Sequence, residues 1–128
     1  MEGYTREEAL ASVEPGWADL INQVWDATLA FEKQRSLTVR VQQVKEKFGG
    51  LRIYAHFVEK VSREDQDWLR GVITAAETAS FTLCEECGAP GEQDAQSYWI
   101  LTLCPIHQAL RTARHASREM DLEHLVED

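Results

Sequence analysis

The feature that most constrains this chain is a pair of short motifs that together use every cysteine in the sequence. C-E-E-C-G begins at Cys84 and is followed further along the chain by C-P-I-H, which begins at Cys104. Zn²⁺ prefers four tetrahedral nitrogen and sulfur ligands, and two C-x-x-[C/H] pairs supply them without backbone strain. The spacing therefore predicts that zinc is bound by Cys84, Cys87, Cys104 and His107.

The predicted zinc site is expected to be structural, because four protein ligands close the coordination shell, whereas a catalytic zinc keeps one position open. Gly88 follows the second cysteine, where a knuckle needs a positive φ angle. Residues 99–103 are predicted to form a strand, and Pro105 suits the first position of a helix capped by Cys104. A knuckle, a hairpin and a helix in this order indicate a treble-clef-like module.

Other roles for the three cysteines are disfavoured. Their odd number, and the lack of a secretory signal in residues 1–10, argue against a disulfide framework and predict a reducing, cytoplasmic location. The remaining alternative is three ordinary buried cysteines beside a surface histidine. Zinc binding is preferred, because a chance double motif that consumes every cysteine is uncommon.

The sequence contains no recognisable catalytic motif. A zinc deaminase needs H-x-E on one helix and P-C-x-x-C on another, but His56 has no glutamate two residues later and Leu83 precedes Cys84. A treble-clef nuclease carries a histidine in its hairpin, and residues 96–103 contain none. There is also no P-loop, no dinucleotide fingerprint and no nucleophile beside a base, so the protein is predicted not to be an enzyme.

Length and composition predict one domain, or one core with a small metal module attached. The chain has 128 residues, of which 44% are hydrophobic, and this is ample for a packed interior. No apolar run approaches the ~20 residues that span a bilayer, so no membrane partner is expected. The formal net charge of −9 argues against delocalised binding of a nucleic-acid backbone, which needs a basic surface.

Hydrophobic periodicity and capping signals predict an α+β fold. Thr5 with Glu8 has the capping-box pattern of a short first helix, and Ser62 with Asp65 has the N-terminal pattern of a later one. The predicted order is helix, hairpin, helix, zinc module and C-terminal helix. The core covers 1–80, with a helix over 17–33, a hairpin over 37–58 and a helix over 63–80; the zinc module covers 81–118 and packs on the core, and an acidic tail covers 119–128.

The predicted hairpin is the second informative region. With Gly49-Gly50 as a two-residue turn, Phe48 lies opposite Leu51, and strand alternation sets the pairs that follow, including Lys47 with Arg52. This register collects four candidate partner-binding residues on one surface, called here the basic face: Lys45, Lys47, Arg52 and Tyr54.

The basic face has two interpretations. Like charges directly opposite one another destabilise a sheet, so three cations together in an acidic chain favour a partner-binding role. Alternatively, they lie over the protein's own acidic helices as solvated ion pairs. The same register leaves Val39, Val41 and Val58 on the basic side, which predicts either that this end is covered or that a β-bulge near Gln42-Gln43 switches the sides.

The four tryptophans are predicted to belong mainly to the core. The alternative for one of them is an exposed interface anchor, because tryptophan is favoured in binding hot spots. The four are Trp17, Trp25, Trp68 and Trp99.

Several ordered motifs carry a resemblance to a known family. They are Gly16-Trp17, Q-V-K-E-K-F-G-G-L-R-I-Y from Gln43, C-E-E-C-G-A-P-G from Cys84 and L-C-x-x-H from Leu103. In these motifs the chain resembles a family of small bacterial and bacteriophage zinc-binding proteins. The resemblance covers roughly residues 16–107; it implies the four zinc ligands by position and no catalytic residues. The distribution of the family is similar to that of immunity and counter-defence proteins.

Two functions of different classes follow from these observations. The first is a protein-binding module, such as an inhibitor, immunity or anti-defence protein, whose acidic surface blocks a basic site on a nucleic-acid-handling partner. The second is an accessory nucleic-acid-binding protein that uses the basic face. The low isoelectric point favours the first.

Overall fold

The computed structural model describes residues 3–96 and 98–127, with side chains as far as residue 118. It has mixed helix and sheet, with two separate two-stranded antiparallel sheets, so the predicted α+β class is confirmed. The elements in chain order are α1 (Arg6–Ala11), a 3₁₀ turn (Pro15–Trp17), α2 (Ala18–Arg35), β1 (Val39–Lys47), β2 (Gly50–Phe57), α3 (Arg63–Ser80), β3 (Glu92–Gln96), β4 (Trp99–Leu103) and α4 (Pro105–Glu127).

The caps of two helices form as predicted. The Thr5 side chain accepts the Glu8 N–H, and the Glu8 carboxylate accepts the Thr5 N–H, which completes the capping box of α1. The Ser62 hydroxyl accepts the Asp65 N–H at the start of α3. These bonds satisfy backbone donors that have no partner within the helix.

The turn of the first hairpin lies one residue earlier than predicted. Lys47 pairs with Gly50, so the turn is Phe48-Gly49 and not Gly49-Gly50. Both turn residues have positive φ angles, 55° at Phe48 and 81° at Gly49, as a two-residue type I′ turn requires. The predicted cross-strand pairs are wrong by two positions: Lys45 lies opposite Arg52, Glu46 opposite Leu51, and Gln43 opposite Tyr54.

Contacts of Gly49 and Gly50 account for this register. The Thr102 hydroxyl donates to the Gly49 carbonyl at 2.5 Å, and the Gly49 N–H donates to Glu46 Oε2 at 2.7 Å. Gly50 lies instead at the start of β2 beneath a ring, where a Cβ would be 2.3 Å from Phe81 Cζ. Gly49 is needed in the turn for its positive φ angle, and Gly50 is needed in β2 because a side chain there would overlap the Phe81 ring.

The basic face survives the change of register. Lys45 and Lys47 are two residues apart on β1, and Arg52 lies directly opposite Lys45, so the three share one side of the sheet. The register shifts between Val41 and Gln43, which confirms the predicted bulge. The bulge changes the side on which β1 residues lie, and Val41 is buried in the core.

Both edges of the hairpin are occupied by groups from other parts of the chain. At the β1 edge, the Val39 N–H donates to Glu32 Oε2 of α2 at 2.8 Å. At the β2 edge, the Leu51 N–H donates to Ser80 Oγ at 2.8 Å and the Ile53 N–H to Glu77 Oε2 at 3.0 Å, both on α3. The helices therefore satisfy edge donors that would otherwise be open to pairing.

The core lies among α2, α3 and the inward side of the hairpin. Trp17 and Trp25 belong to it, and Trp68 is half-buried, stacked on Phe31 with 3.9 Å between the ring centroids. Trp99 is 63% exposed, so its prediction as a core residue is wrong and the alternative of an exposed tryptophan holds. The main cluster of buried apolar side chains comprises Ala9, Trp17, Leu20, Ile21, Val24, Trp25, Val41, Val44, Leu51, Ile53 and Ala76.

A close backbone contact joins the core to the knuckle. The Gly16 N–H donates to the Glu85 carbonyl at 2.6 Å, and Trp17 Nε1 donates to the Leu83 carbonyl at 3.1 Å. A Cβ on Gly16 would lie 2.0 Å from the Cys84 carbonyl oxygen, which is closer than any side chain can approach. This contact, called here the Gly16 joint, fixes the knuckle against the start of α2.

The chain after the knuckle forms β3, β4 and α4. The β3 and β4 strands form the second sheet, with Gln96 opposite Trp99 across its turn. Helix α4 continues through the segment predicted as an acidic tail, from residue 119 to Glu127, and Asp128 lies outside the described residues. No Pro or Gly interrupts residues 106–127, which explains why the helix propagates.

We expect Gly16→Ala to destabilise the folded protein by about 1–3 kcal/mol or more, because the new methyl group overlaps the Cys84 carbonyl. Gly71→Ala is the matched control, since nothing lies within 4 Å of a Cβ at this α3 position and alanine favours a helix by about 0.5–1 kcal/mol. Urea unfolding of both variants measures the difference. Equal midpoints for the two would contradict the Gly16 joint.

We expect Phe48→Asn to stabilise the protein by about 1 kcal/mol, because Phe48 is 64% exposed and holds a left-handed conformation that asparagine tolerates better. Phe48→Ala removes the same ring but keeps the unfavourable backbone, and so serves as the control. The midpoint of urea unfolding is the measurement. A loss of stability in the asparagine variant would mean that the Phe48 ring stabilises the turn.

Candidate metal centre

The four predicted ligands come from three places in the chain. Cys84 and Cys87 lie in the knuckle after α3, Cys104 follows β4, and His107 lies in the first turn of α4. Their ligand atoms all lie within 4.8 Å of one another. The structure therefore brings the sequence-predicted ligands together at one point.

The spacing of the ligand atoms fits a single metal ion. Cys87 Sγ lies 3.7 Å from Cys104 Sγ, and His107 Nδ1 lies 3.5 Å from Cys84 Sγ and 3.1 Å from Cys104 Sγ. Ligands around a tetrahedral ion with ordinary metal–ligand lengths are separated by about 3.8 Å for two sulfurs and about 3.6 Å for sulfur and nitrogen. All three cysteines are free, and a disulfide would need a far shorter sulfur–sulfur distance. The cluster can hold a metal ion.

The knuckle is a tight turn built from backbone hydrogen bonds. The Gly88 N–H donates to the Cys84 carbonyl at 2.9 Å, and the Cys84 N–H donates to the Ala89 carbonyl at 2.7 Å. Gly88 has a φ of 79°, so its predicted positive φ is confirmed. These bonds close a loop that directs two sulfurs toward the same point.

Cys104 caps α4 and is also one of the four candidate metal ligands. Helix α4 begins at Pro105, as predicted, and the Gln108 N–H donates to the Cys104 carbonyl. The His107 N–H approaches Cys104 Sγ at 3.5 Å, and this backbone contact lowers the pKa of the Cys104 thiol. A lowered pKa favours the thiolate, which is the form that binds metal.

A buried arginine that the sequence analysis did not single out fastens the second hairpin to α4. Arg111 is 5% exposed and donates to the carbonyls of Asp94 at 2.6 Å, Gln96 at 3.0 Å and Trp99 at 2.6 Å. It also lies 3.4 Å from the Asp94 carboxylate. Its position one turn after His107 was the available signal, but only the fold shows which carbonyls it meets.

A buried glutamate next to the metal ligands was also missed. Glu85 is 3% exposed; its Oε2 accepts the Thr102 N–H at 2.7 Å, and its own N–H donates to the Thr102 carbonyl at 2.9 Å. Burial raises the pKa of Glu85 to about 7 against the effect of the Thr102 bond, and Glu46, Glu14 and Glu86 add to the rise. Glu85 thereby links the knuckle to β4.

The structure leaves the cations of the basic face exposed to solvent or half-buried. The Lys45 ammonium lies 5.5 Å from the centre of the Tyr54 ring, and the Lys47 ammonium 5.6 Å from that of Phe48. Within residues 3–96 and 98–118, none of Lys45, Lys47 and Arg52 forms an ion pair. The predicted alternative of internal ion pairs finds no support in that part of the chain.

Comparisons with protein-family models, curated proteins and solved structures give no match to this chain. Among the described residues, no helix has the length and apolar character needed to cross a membrane.

We expect protein purified without added metal to contain about one metal ion per chain, because four ligand atoms converge on one position. Removing the ion with a chelator should unfold at least residues 81–118, since metal binding in such modules supplies about 10–16 kcal/mol toward folding. Elemental analysis and amide NMR spectra before and after chelation measure both effects.

Two variants complete the metal experiment. Cys87→Ser should lose most of the bound metal, whereas His56→Ala should keep it, because His56 is exposed and lies outside the cluster. Much less than one equivalent of metal in the unaltered protein, together with freely reacting thiols, would contradict the site.

Proposed function

We propose that this protein is a zinc-stabilised, non-enzymatic module that binds another protein in the cytoplasm. Three thiolates and one imidazole form a ligand set of the kind that zinc prefers, and soft sulfur ligands disfavour Mg²⁺ and Ca²⁺. Four protein ligands would fill the coordination shell, which supports a structural role for the metal. Such a metal would hold the knuckle, β4 and α4 in one arrangement.

The observation that carries the binding function is a group of exposed aromatic side chains around one pocket. Phe48, Tyr98 and Trp99 line it, and they are called here the aromatic ridge. Phe48 and Trp99 are 64% and 63% exposed, and Tyr98 is fully exposed. Exposed aromatic clusters are unfavourable in water and are typical of binding hot spots.

The backbone strengthens this argument. Phe48 and Tyr98 lie in different turns, and both have positive φ angles, 55° and 65°. The left-handed conformation costs a bulky residue about 1–2 kcal/mol, and glycine or asparagine is favoured there. Two strained turns that present exposed rings to the same pocket favour a role in binding over a role in stability.

The charge of the chain favours a basic protein partner. A net charge of −9 speeds association with a cationic surface and opposes approach to nucleic acid. An inhibitor, immunity or anti-defence protein that covers the basic site of a nucleic-acid-handling protein would have this property. The resemblance to bacterial and bacteriophage proteins supports the same proposal.

A second candidate, accessory binding of nucleic acid, is favoured by one observation. Lys45, Lys47 and Arg52 lie on the same side of the hairpin as Tyr54, and Phe48 of the aromatic ridge is in contact with Lys47. Exposed rings beside cations can stack on bases while the cations contact phosphates. The net charge makes this the weaker candidate.

We expect DNA and RNA to bind weakly at about 0.15 M salt, where screening removes simple charge attraction. Capture from a lysate of the source organism should retain a basic protein on the unaltered chain and lose it on Phe48→Asn, which keeps the fold. Electrophoretic shift and quantitative capture are the two measurements.

The controls separate the two candidates. Sub-micromolar binding of nucleic acid that is lost on joint replacement of Lys45, Lys47 and Arg52 would establish the second candidate instead. Equal capture by the unaltered chain and by Phe48→Asn would show that the Phe48 ring of the aromatic ridge does not contribute to partner binding. Turnover of a substrate that one substitution abolishes without loss of metal or fold would overturn both.

A further inference from the structure

An acidic groove lies beside the aromatic ridge. It has a volume of about 290 Å³, and Trp99 and Glu46 border both the groove and the ridge pocket. Its walls are partly apolar, with Leu101 and Leu103 of β4. The carboxylates that line this acidic groove are Glu14, Glu46, Glu85 and Glu86.

Two of these carboxylates are held in place by the backbone. Glu85 Oε2 accepts the Thr102 N–H, and Glu46 Oε2 accepts the Gly49 N–H, each at 2.7 Å. Glu14 and Glu86 are exposed. The groove therefore has two fixed inner carboxylates and two exposed carboxylates, and no rearrangement of the backbone is needed to present them.

Glu85 is the most buried of the four groove carboxylates. Its side chain is almost completely removed from water, at 3% exposure for the residue, and it lines the groove. No lysine, arginine or histidine in the part of the chain whose side chains are described forms an ion pair with it. The Thr102 N–H is its one hydrogen-bond donor among the described contacts, and a cation of a partner that reached the carboxylate would favour its charged form.

The cation is not expected to be a metal ion. A metal needs several ligand atoms within a few ångströms of one another, and the Cys84, Cys87, Cys104 and His107 cluster is the one group of described residues that meets this condition. The groove carboxylates are spread around an apolar wall instead. Such a distribution suits a longer cation with several separated hydrogen-bond donors.

The wall and the size of the groove favour arginine. The Trp99 side chain is exposed and lines the groove, and a planar guanidinium can stack on an indole while its N–H groups reach carboxylates on more than one side. A volume of about 290 Å³ is at the lower limit for small-molecule sites and is suited to a single side chain. Lysine has a compact ammonium and would use fewer of these contacts.

We propose that the acidic groove receives an arginine side chain of the protein partner, with the guanidinium bound by Glu46 and Glu85 and stacked on Trp99. This inference rests on the proposed protein-binding function and names the contact that it would use. Complementary charge supplies the attraction, and the fixed carboxylates together with the indole select arginine over lysine.

The test uses the full-length, metal-loaded protein and the peptide acetyl-Gly-Gly-Arg-Gly-Gly-amide, followed by ¹H–¹⁵N NMR. The peptide should cause saturable shifts in the Thr102, Glu85 and Gly49 amides and in the Trp99 indole N–H. The same peptide with lysine should bind at least about fivefold more weakly, and the peptide with uncharged citrulline should cause no such shifts.

Variants locate the contact. Glu85→Gln keeps an acceptor for the Thr102 N–H, and Trp99→Ala removes an exposed ring, so both should fold and both should weaken peptide binding at least about fivefold. Glu64→Gln removes the same charge from an exposed position in the first turn of α3 and should leave binding unchanged. Amide dispersion in the NMR spectrum verifies the fold of each variant.

The inference is overturned if the arginine and citrulline peptides give the same shifts, or if calcium chloride reproduces them at lower concentration. It is equally overturned if no saturable shift appears up to about 10 mM peptide. A partner that is captured equally well by the unaltered chain, Glu85→Gln and Trp99→Ala would exclude the groove while the proposed function stands. A chain that captures no protein but binds the arginine peptide as described would contradict the proposed function alone.

Discussion

The Gly16 joint is the contact on which the arrangement of this molecule depends. It connects the start of α2 to the knuckle through backbone atoms: Gly16 contacts the carbonyls of Cys84 and Glu85, and Trp17 reaches that of Leu83. Only a residue without a side chain permits this approach. Because Trp17 is itself fully buried in the core, the packing of α2 fixes the position of the candidate metal ligands. The aromatic ridge and the acidic groove depend on the same contact, since both combine residues of the first hairpin with residues of β4.

Features that depend on a few neighbouring residues could be predicted from the sequence. The capping box at Thr5, the cap at Ser62, the positive φ of Gly88 and the start of α4 at Pro105 all follow from local chemistry. The ligand cluster was predictable for a similar reason. Each C-x-x-[C/H] pair directs two ligand atoms to one side of a short turn. The one long-range contact that had to be inferred was the approach of the first pair to the second.

Features that depend on distant contacts could not be predicted. Two adjacent glycines allow two turns, and the choice of Phe48-Gly49 is made by Thr102 and Phe81, which are far along the chain. Periodicity could not reveal that Trp99 is exposed. Glu85 and Arg111 are buried because distant backbone amide and carbonyl groups form hydrogen bonds with their side chains. From the sequence alone, a glutamate and an arginine are expected on the surface.

The occupied edges of the first hairpin bear on how the protein can meet other chains. An exposed β-strand edge is an unselective binding surface, because its unpaired backbone groups can pair with almost any extended segment, including a strand from a second copy. Here Glu32, Ser80 and Glu77 already take the N–H groups of Val39, Leu51 and Ile53, and the Tyr4 N–H donates to the Val41 carbonyl. Recognition by strand addition is therefore blocked at these positions. Selectivity then depends on side chains, whose shape and charge discriminate among partners in a way that a bare backbone edge does not.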